Sequence, residues 1–328
     1  MRGDYSPERL RMMAQVVDDL GVNLASIHLG VKRETLRRAM RRHKNTILAG
    51  EPKQSADAGN KTALLRKLEE RYSENELLAI AAGGSPRKDC IKPIHDFRGK
   101  RVVIGAMSDT HLGSSTTNPD FVKMAFAEFK RAKVDMVTIG GDITEGLSRR
   151  DGHVYECTHI GFAAQKKHAI QVLERWDSTP IYMIDGNHDR WYKKASGAQV
   201  VSDICDEIDN AVYLGEDEGD IELAPGCVLR IWHGEDSSSY AHSYRLQKLV
   251  ESFTGGEKPS ALFAGHVHKM GYFFIRHVHC ISTGAIQSQS KWMRSKRMPA
   301  HTGFWIVEFV VNEKGIARCK TEWFPFYV

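Results

Sequence analysis

The spacing of hydrophobic residues along the chain changes near Arg98. After this point, short apolar runs of strand length alternate with amphipathic stretches at 119–131, 160–176 and 238–252. This alternation predicts an α/β domain, because each strand is followed by a helix that can cover the sheet. The five clearest runs are RVVIGAM, VDMVTIG, PIYMID, VLRIWHG and ALFAG. The end of the chain is richer in strand patterns, with GYFFIRHVHCIS, GFWIVEFVV and IARCKTEWF.

Residues 1–45 show helical spacing instead. Ser6 and Pro7 are typical of a helix start, and the stretch NLASIHLGVKRETLRRAMRRH has a turn glycine, Gly30, between two short helical patterns. This stretch resembles helix-turn-helix DNA-binding modules, in which the second helix enters the major groove. The basic residues that such a helix would present to DNA are Lys32, Arg33, Arg37, Arg38 and Arg41. A small helical domain with a solvated basic face, or a protein-binding module, remains the alternative.

The sequence thus predicts three segments. Residues 1–45 form the helix-turn-helix-like domain, 46–97 a linker that carries a pair of helices, and 98–328 the catalytic domain. The first segment holds 10 basic and 5 acidic residues, which accounts for the net charge of +5 of the whole chain. A local basic excess points to an anionic partner, and we therefore expect DNA.

The remaining composition restricts the cellular setting. The six cysteines are scattered, which favours reduced thiols over a disulfide framework. The N-terminus lacks an apolar signal region, and no apolar run approaches the ~18 residues of a membrane span. We therefore expect a cytoplasmic protein without a membrane partner; the oligomeric state stays open and includes a homodimer.

Each of the five apolar runs ends in residues that can bind a metal. One histidine after a strand is weak evidence, but five such endings are hard to explain by accident. Imidazole, carboxylate and side-chain carbonyl groups suit divalent Mn, Fe and Zn, and the absence of cysteine argues against a structural zinc site. The candidate residues are Asp109 and His111, Asp142, Asn187 and His188, His233, and His266 and His268.

In chain order, the patterns D-x-H, G-D-x-x-E, G-N-H-D, H-G and G-H-x-H resemble the metal-binding motifs of the calcineurin-like metallophosphoesterase superfamily. The resemblance covers about residues 98–285. It implies an α/β fold, a β-sandwich flanked by helices (αββα), which is preceded here by the small all-α domain. It also implies two divalent metal ions at the strand ends, for which we expect Mn²⁺, with Fe or Zn as alternatives.

The same resemblance implies a role for each residue. The first metal would be bound by Asp109, His111 and His268. The second metal would be bound by Asn187, His233 and His266, and the bridging ligand would be Asp142. Trp232, directly before His233, stands where a small residue is common in the family and is a departure from its pattern.

Two further residues receive catalytic roles from the resemblance. His188 would face the substrate phosphate and protonate the leaving group. Glu145 occupies the position of an acidic or histidine partner of that catalytic histidine. Asp189 is expected to be structural rather than a ligand.

Three features favour a nucleic-acid substrate. The first is the N-terminal basic segment. The second is the stretch 288–301, where Lys291, Trp292 and Arg294 could grip phosphates and stack on a base. The third is Lys269 after the last motif, which resembles the nuclease branch of the superfamily. A mobile surface loop is the alternative for 288–301.

We therefore expect a two-metal phosphodiester hydrolase that acts on DNA. The first alternative is a phosphatase or phosphodiesterase for a protein or small molecule, with the N-terminal domain as a docking module. The second alternative is a DNA-binding regulator without activity, which the complete ligand set disfavours.

Overall fold

The structure is a computed structural model that describes residues 92–327 apart from 177–178, 237–240 and 255. It also describes residues 12–17 and seven single positions between 22 and 39. The chain divides into two units, Met1–Cys90 and Ile91–Val328. Within the described part, no helix is both long and apolar enough to cross a membrane.

Two mixed β-sheets make up the second unit. The first sheet has the strand order β11-β10-β1-β2-β3-β4, in which β1 to β4 are parallel and β10 and β11 are antiparallel additions. Its strands are β1 (Arg101–Met107), β2 (Met136–Ile139), β3 (Ile181–Asp185), β4 (Ala211–Glu216), β10 (Gly303–Asn312) and β11 (Gly315–Pro325).

The second sheet has the order β5-β6-β7-β9-β8, with a parallel centre, β6-β7-β9, between two antiparallel edge strands. Its strands are β5 (Glu218–Ala224), β6 (Cys227–Trp232), β7 (Ala261–Ala264), β8 (Met270–Ile275) and β9 (Val278–Thr283). The sequence indicated strand structure in the run GYFFIRHVHCIS (271–282), and the structure shows a hairpin there, because Arg276 and His277 adopt the left-handed conformation of a tight turn.

Six α-helices in the described residues accompany the sheets. They are α1 (Pro119–Ala132), α2 (Phe162–Leu173), α3 (Asp189–Ser196), α4 (Val200–Glu207), α5 (Tyr244–Ser252) and α6 (Lys291–Ser295), and a short 3₁₀ helix spans His153–Glu156. The sequence predicted α1, α2 and α5. It did not predict α3, because the apolar residues of this helix are few.

The helices cover the outer faces of the two sheets. Phe129 of α1 and Trp176 after α2 pack in one apolar core against the first sheet. Leu246 and Val250 of α5 pack against Leu262 and Cys280 of the second sheet. The inner sheet faces meet each other, as the contact between Phe263 and Phe309 shows. The predicted αββα arrangement is therefore confirmed for this unit.

The start of the second unit is tied to the edge of the second sheet. The backbone amides of His95 and Phe97 donate to the carbonyls of Glu222 and Leu223 in β5. The folded unit therefore includes residues before Arg98, where the sequence had placed its first residue.

Only part of the N-terminal unit is described. Residues 12–17 are helical, and Met13, Ala25, Leu36 and Ala39 are buried together. Lys32 is exposed, whereas Arg33, Arg37, Arg38 and Arg41 lie outside the described residues. The helix-turn-helix therefore stays a prediction.

We predict that Gly105→Ala destabilises the protein by about 1–3 kcal/mol, since an added Cβ would lie 2.7 Å from the ring of Phe129. Urea unfolding of the single variants and of the double variant with Phe129→Leu measures the effect. The smaller side chain should relieve the clash, so the double variant should be more stable than the sum of the two single effects. Strict additivity would contradict this packing.

Candidate metal centre

The polar residues after β1, β2, β3, β6 and β7 meet at one edge of the sandwich. Backbone hydrogen bonds join these loops to each other: the amide of Asp109 donates to Gly141 O at 3.0 Å, and the amide of His111 donates to Asp142 O at 2.9 Å. In the second sheet, the amide of Gly265 donates to Trp232 O at 3.0 Å. Parallel strands deliver their carboxyl ends to the same edge, which is why residues far apart in sequence meet here.

Three predicted ligands form a first group. His268 Nε2 lies 3.2 Å from Asp109 Oδ1 and 3.3 Å from His111 Nε2. All three side chains are buried. Their ligand atoms lie close enough together to hold one ion.

A second group lies beside the first. His233 Nε2 lies 3.1 Å from Asn187 Oδ1, and the ring of His233 contacts that of His266. Asp142, His233 and His266 also offer ligand atoms within reach of one ion. Trp232 does not displace His233, whose side chain is fully buried in the site.

The carboxylate of Asp142 lies between the two groups. Its Oδ2 atom is 3.6 Å from His111 Nε2 and 3.3 Å from His233 Nε2. Its Oδ1 atom accepts the backbone N–H of His188 at 2.8 Å. One carboxylate thus faces both groups, which is the position of a bridging ligand.

The hydrogen bonds of the imidazoles fit divalent metal ions. His111 Nδ1 donates to Glu145 Oε2 at 3.0 Å, and His233 Nδ1 donates to Gly140 O at 2.7 Å. A second nitrogen fixed in this way is typical of metal-ligating histidines, because it leaves the Nε2 lone pair for the ion. These lone pairs face Asp142 Oδ2, and such acceptors repel each other unless a cation or proton lies between them.

The charges of the site also fit a cation. Burial opposes charge on His111 and His233, but the pKa of both rises to about 9, chiefly through Glu145 and Asp142 for His111 and through Asp142 for His233. Burial likewise opposes ionisation of Asp142, yet His233 and His188 hold its pKa well below its usual range. Divalent metal binding should therefore release protons from these imidazoles.

Backbone strain accompanies the ligands. Ten non-glycine residues in the described part of the chain have positive φ angles. Five of them are predicted ligands: Asp109, His111, Asp142, His266 and His268. Such conformations cost on the order of 1–3 kcal/mol each and cluster at functional sites.

Asp189 supports the loops rather than the metal. Its carboxylate accepts backbone N–H groups from Ile143, Thr144 and Gly186, at 2.8–3.0 Å. Gly186 packs directly on Asp142, and a Cβ at this position would overlap the Asp142 carboxylate. Asp189 thereby connects the loops after β2 and β3.

His188 lies beside both groups. Its Nδ1 atom donates to the backbone carbonyl of Glu145 at 2.7 Å, and its ring stacks on Trp191 at 3.9 Å. Burial lowers the pKa of His188 to about 4, so the ring is neutral at neutral pH and its Nε2 atom is free to accept a proton. His188 also lies within ligand distance of His111 and Asp142, so its geometry alone does not separate proton transfer from metal binding.

The expected partnership of Glu145 with His188 needs correction. The Glu145 carboxylate contacts His111, and its Oε1 atom lies 2.9 Å from His153 Nε2. Gln287 Nε2 donates to the same carboxylate at 3.2 Å. Glu145 reaches His188 by a hydrogen bond only through its backbone carbonyl, while its carboxylate acts on this ring through its charge.

His153 and Gln287 were not among the predicted site residues. The backbone amide of Ser148 donates to His153 Nδ1 at 3.1 Å, which leaves the proton on Nε2 to donate to Glu145. The carboxylate therefore collects three donors, and the pKa of Glu145 stays well below its usual range despite its burial. The sequence placed His153 in a polar stretch, 148–159, near the expected rim of the site, as part of a solvated loop or of a substrate-contact loop, and did not predict that it is buried against Glu145.

Arg245 was also missed. Its guanidinium donates to His233 O at 2.5 Å and to Gly265 O at 2.9 Å, and it lies 4.2 Å from the ring of Trp232. A single buried side chain thus joins the two loops that carry His233 and His266. The unusual Trp232 is the stacking partner of this arginine.

A cleft of about 960 Å³ opens over the metal-binding residues. Trp292 lines it, together with Lys296 and Arg297. Lys291 and Arg294 lie on helix α6 together with Trp292 and are exposed, but they do not line the cleft. Of the three DNA contacts predicted in this stretch, the structure therefore brings one to the site.

The sequence of residues 102–298 matches the calcineurin-like phosphoesterase superfamily domain. The match covers more than half of the chain, and the chain belongs to this superfamily. The curated proteins contain no relative that matches the chain.

Solved structures resemble the chain at low sequence identity. A novel archaeal phosphodiesterase is 18% identical, with 68% of this chain and 100% of that chain covered and a TM-score of 0.40. The phosphoesterase Yfce from E. coli is 15% identical, with 67% and 98% covered and a TM-score of 0.38. Vps29 from Entamoeba histolytica, complexed with Zn²⁺, is 10% identical, with 69% and 100% covered and a TM-score of 0.36.

We predict that His188→Ala lowers the hydrolysis rate by about 10²–10⁴-fold, because the reaction loses its proton-transfer group. Metal content, measured by elemental analysis, should stay at the wild-type level. His159→Ala is the control, since this ring stacks on His168 outside the cleft. Loss of metal in the His188 variant would identify this residue as a ligand instead.

We predict that Arg245→Lys weakens Mn²⁺ binding by about 10- to 100-fold, as is usual when the support of a metal ligand is removed. Isothermal titration of the metal-stripped protein measures the affinity. Arg230→Lys is a matched control, because Arg230 also pairs with an aspartate and lies over an aromatic ring, that of Phe253. Equal affinities in both variants would contradict the role of Arg245.

Proposed function

We propose that this protein is a two-metal phosphodiester hydrolase that acts on DNA. The observation that carries the proposal is the Asp142 carboxylate, which lies between two groups of buried and half-buried ligands at the floor of a cleft. Family membership supports phosphoester hydrolysis, and the basic residues of the chain support the nucleic-acid substrate.

In this proposal, each group of ligands holds one metal ion. Asp109, His111 and His268 would hold the first ion, Asn187, His233 and His266 would hold the second, and Asp142 would be available to both. Two divalent ions would neutralise the phosphate oxygens and make a water molecule nucleophilic at neutral pH. Mn²⁺ suits the mixed nitrogen and oxygen ligands, as Fe and Zn do.

The protein side chains position the reactants and handle the proton. Glu145 holds the ring of His111, and Arg245 holds the loops of His233 and His266. His188 protonates the leaving oxygen, and a phosphate anion bound beside its ring favours the protonated form. Preorganised groups of this kind need no rearrangement during the reaction.

DNA is the substrate that best accounts for the rest of the chain. The basic residues at 32–41 would bind duplex backbone and bring the hydrolase to its target, consistent with a cytoplasmic protein. Lys291 and Arg294, although outside the cleft, would add phosphate contacts beside it. The oligomeric state, including a homodimer, is independent of this assignment.

We predict that metal-stripped protein supplied with Mn²⁺ hydrolyses bis-p-nitrophenyl phosphate and end-labelled DNA, and that EDTA abolishes both activities. Asp142→Asn should remove activity on both substrates, because the shared carboxylate is lost. Arg37→Ala/Arg38→Ala should weaken cleavage of DNA alone, since these residues are proposed to bind the DNA backbone rather than the scissile ester.

The same assay distinguishes the alternatives. Turnover of p-nitrophenyl phosphate with intact DNA would replace the nuclease by a phosphatase, with the N-terminal unit as a docking module. DNA binding without hydrolysis of any ester would indicate a regulator that lacks activity.

A further inference from the structure

Residues 289–299 form a lip on the cleft, and its position is set by the metal centre. The backbone amides of Ile286 and Gln287, just before the lip, donate to Asp109 O at 3.2 and 3.1 Å. The side chain of Gln287 reaches the Glu145 carboxylate. Any group presented by the lip is thereby held at a fixed place relative to the metal ligands.

The lip is also stiff. Ser290 caps helix α6 by accepting the backbone N–H of Met293 at 3.2 Å, and Met293 is buried. Gln289 Nε2 donates to Met298 O at 2.7 Å, which closes the two ends of the lip on each other. An organised lip can bind a ligand with little loss of conformational entropy.

The exposed side chains of the lip are of the types that commonly contact nucleic-acid strands. Trp292 is 42% exposed and lines the cleft. Lys296 and Arg297 line it as well, and neither side chain has an ion pair with the described part of the chain. An aromatic ring beside two cations offers a stacking surface and phosphate contacts.

The acidic residues of the rim do not cancel this charge. Glu156 pairs with Arg150 at 2.6 Å. Glu235 pairs with Arg190 at 2.5 Å and with Lys194 at 3.1 Å, and Asp236 pairs with Arg245 at 2.6 Å. Because these acids are already neutralised, the lip cations stay available for an anionic substrate.

The volume of the cleft suits a short stretch of one nucleic-acid strand. At about 960 Å³ it lies at the upper end of the ~300–1,000 Å³ of pockets that enclose small ligands. A few nucleotides of one strand fit such a space, and only an unpaired base exposes the ring face on which Trp292 could stack.

We propose that the lip selects single-stranded nucleic acid: Trp292 stacks on a base next to the scissile phosphate, and Lys296 and Arg297 bind the phosphates beyond it. The proposal rests on the proposed function and specifies the form of its substrate. A duplex would be cleaved only where its end or a damaged site supplies an unpaired strand.

The test compares wild type with Trp292→Ala, Trp292→Phe and Lys296→Ala/Arg297→Ala. Each protein is assayed on bis-p-nitrophenyl phosphate, on a labelled single-stranded oligonucleotide and on its blunt-ended duplex. Trp292→Ala should lower kcat/KM on the single strand by about 5- to 100-fold, a much larger loss than on the small diester, which has no neighbouring base to stack. Trp292→Phe should restore most of the loss, and wild type should prefer the single strand to the duplex.

Binding of a fluorescent oligothymidylate is measured in parallel as a function of salt. Lys296→Ala/Arg297→Ala should reduce the slope of log affinity against log salt by about 1.4, which corresponds to two lost contacts with single-strand phosphates. Lys100→Ala/Lys314→Ala is the matched control, since it removes the same charge from exposed positions outside the cleft. Phe274→Ala, an exposed aromatic outside the cleft, is the control for Trp292.

The outcomes separate the two proposals. If wild type hydrolyses the small diester but no DNA, the proposed DNA substrate is wrong. If the lip variants then also bind oligothymidylate as wild type does, the inference that the lip binds a single strand is overturned as well. If wild type cleaves DNA while Trp292→Ala cleaves and binds the single strand normally, only the lip inference is overturned. Equal cleavage of duplex and single strand would also overturn it.

Discussion

The structure of the site depends on one carboxylate. Asp142 Oδ2 faces His111 and His233, and its Oδ1 is held by the backbone of His188. Buried acceptors and a buried carboxylate repel each other unless positive charge joins them, so the arrangement is stable only with protons or cations between the groups. The convergence of loops from two sheets, and the strained backbone of five ligands, are consequences of bringing these atoms together.

Buried side chains around the ligands hold them in place by hydrogen bonds. Glu145 orients His111 and is itself satisfied by His153 and Gln287. Arg245 joins the loops after β6 and β7, and Asp189 joins those after β2 and β3. Each of these polar side chains is buried with its hydrogen bonds satisfied by the protein, which makes this arrangement rigid rather than costly. Gln287, which bonds to Glu145, directly precedes the lip. The same segment of the chain therefore supports the metal ligands and carries the proposed substrate contacts.

Much of the fold and of the site could be predicted from the sequence. The five apolar runs are strands, because a buried parallel strand needs a continuous apolar stretch whatever surrounds it. The residues after them were identified as candidate ligands because polar groups directly after such strands have few structural reasons to be there. The helices at 189–207 were missed, since they are short and the buried face of α3 carries the charged residues Asp189 and Arg190 where an amphipathic helix has apolar ones.

The sequence by itself determined which chemical groups stand at the ends of which strands, because residue type and the two-residue period of a strand are local properties. Only the tertiary structure decided which atoms face each other. The Glu145 carboxylate contacts His111 rather than His188, and Trp292 rather than Lys291 reaches the cleft. Arg245 acts on carbonyls 12 and 20 residues away in sequence. Such contacts are set by the packing of two sheets and their loops, which no local pattern of residues encodes.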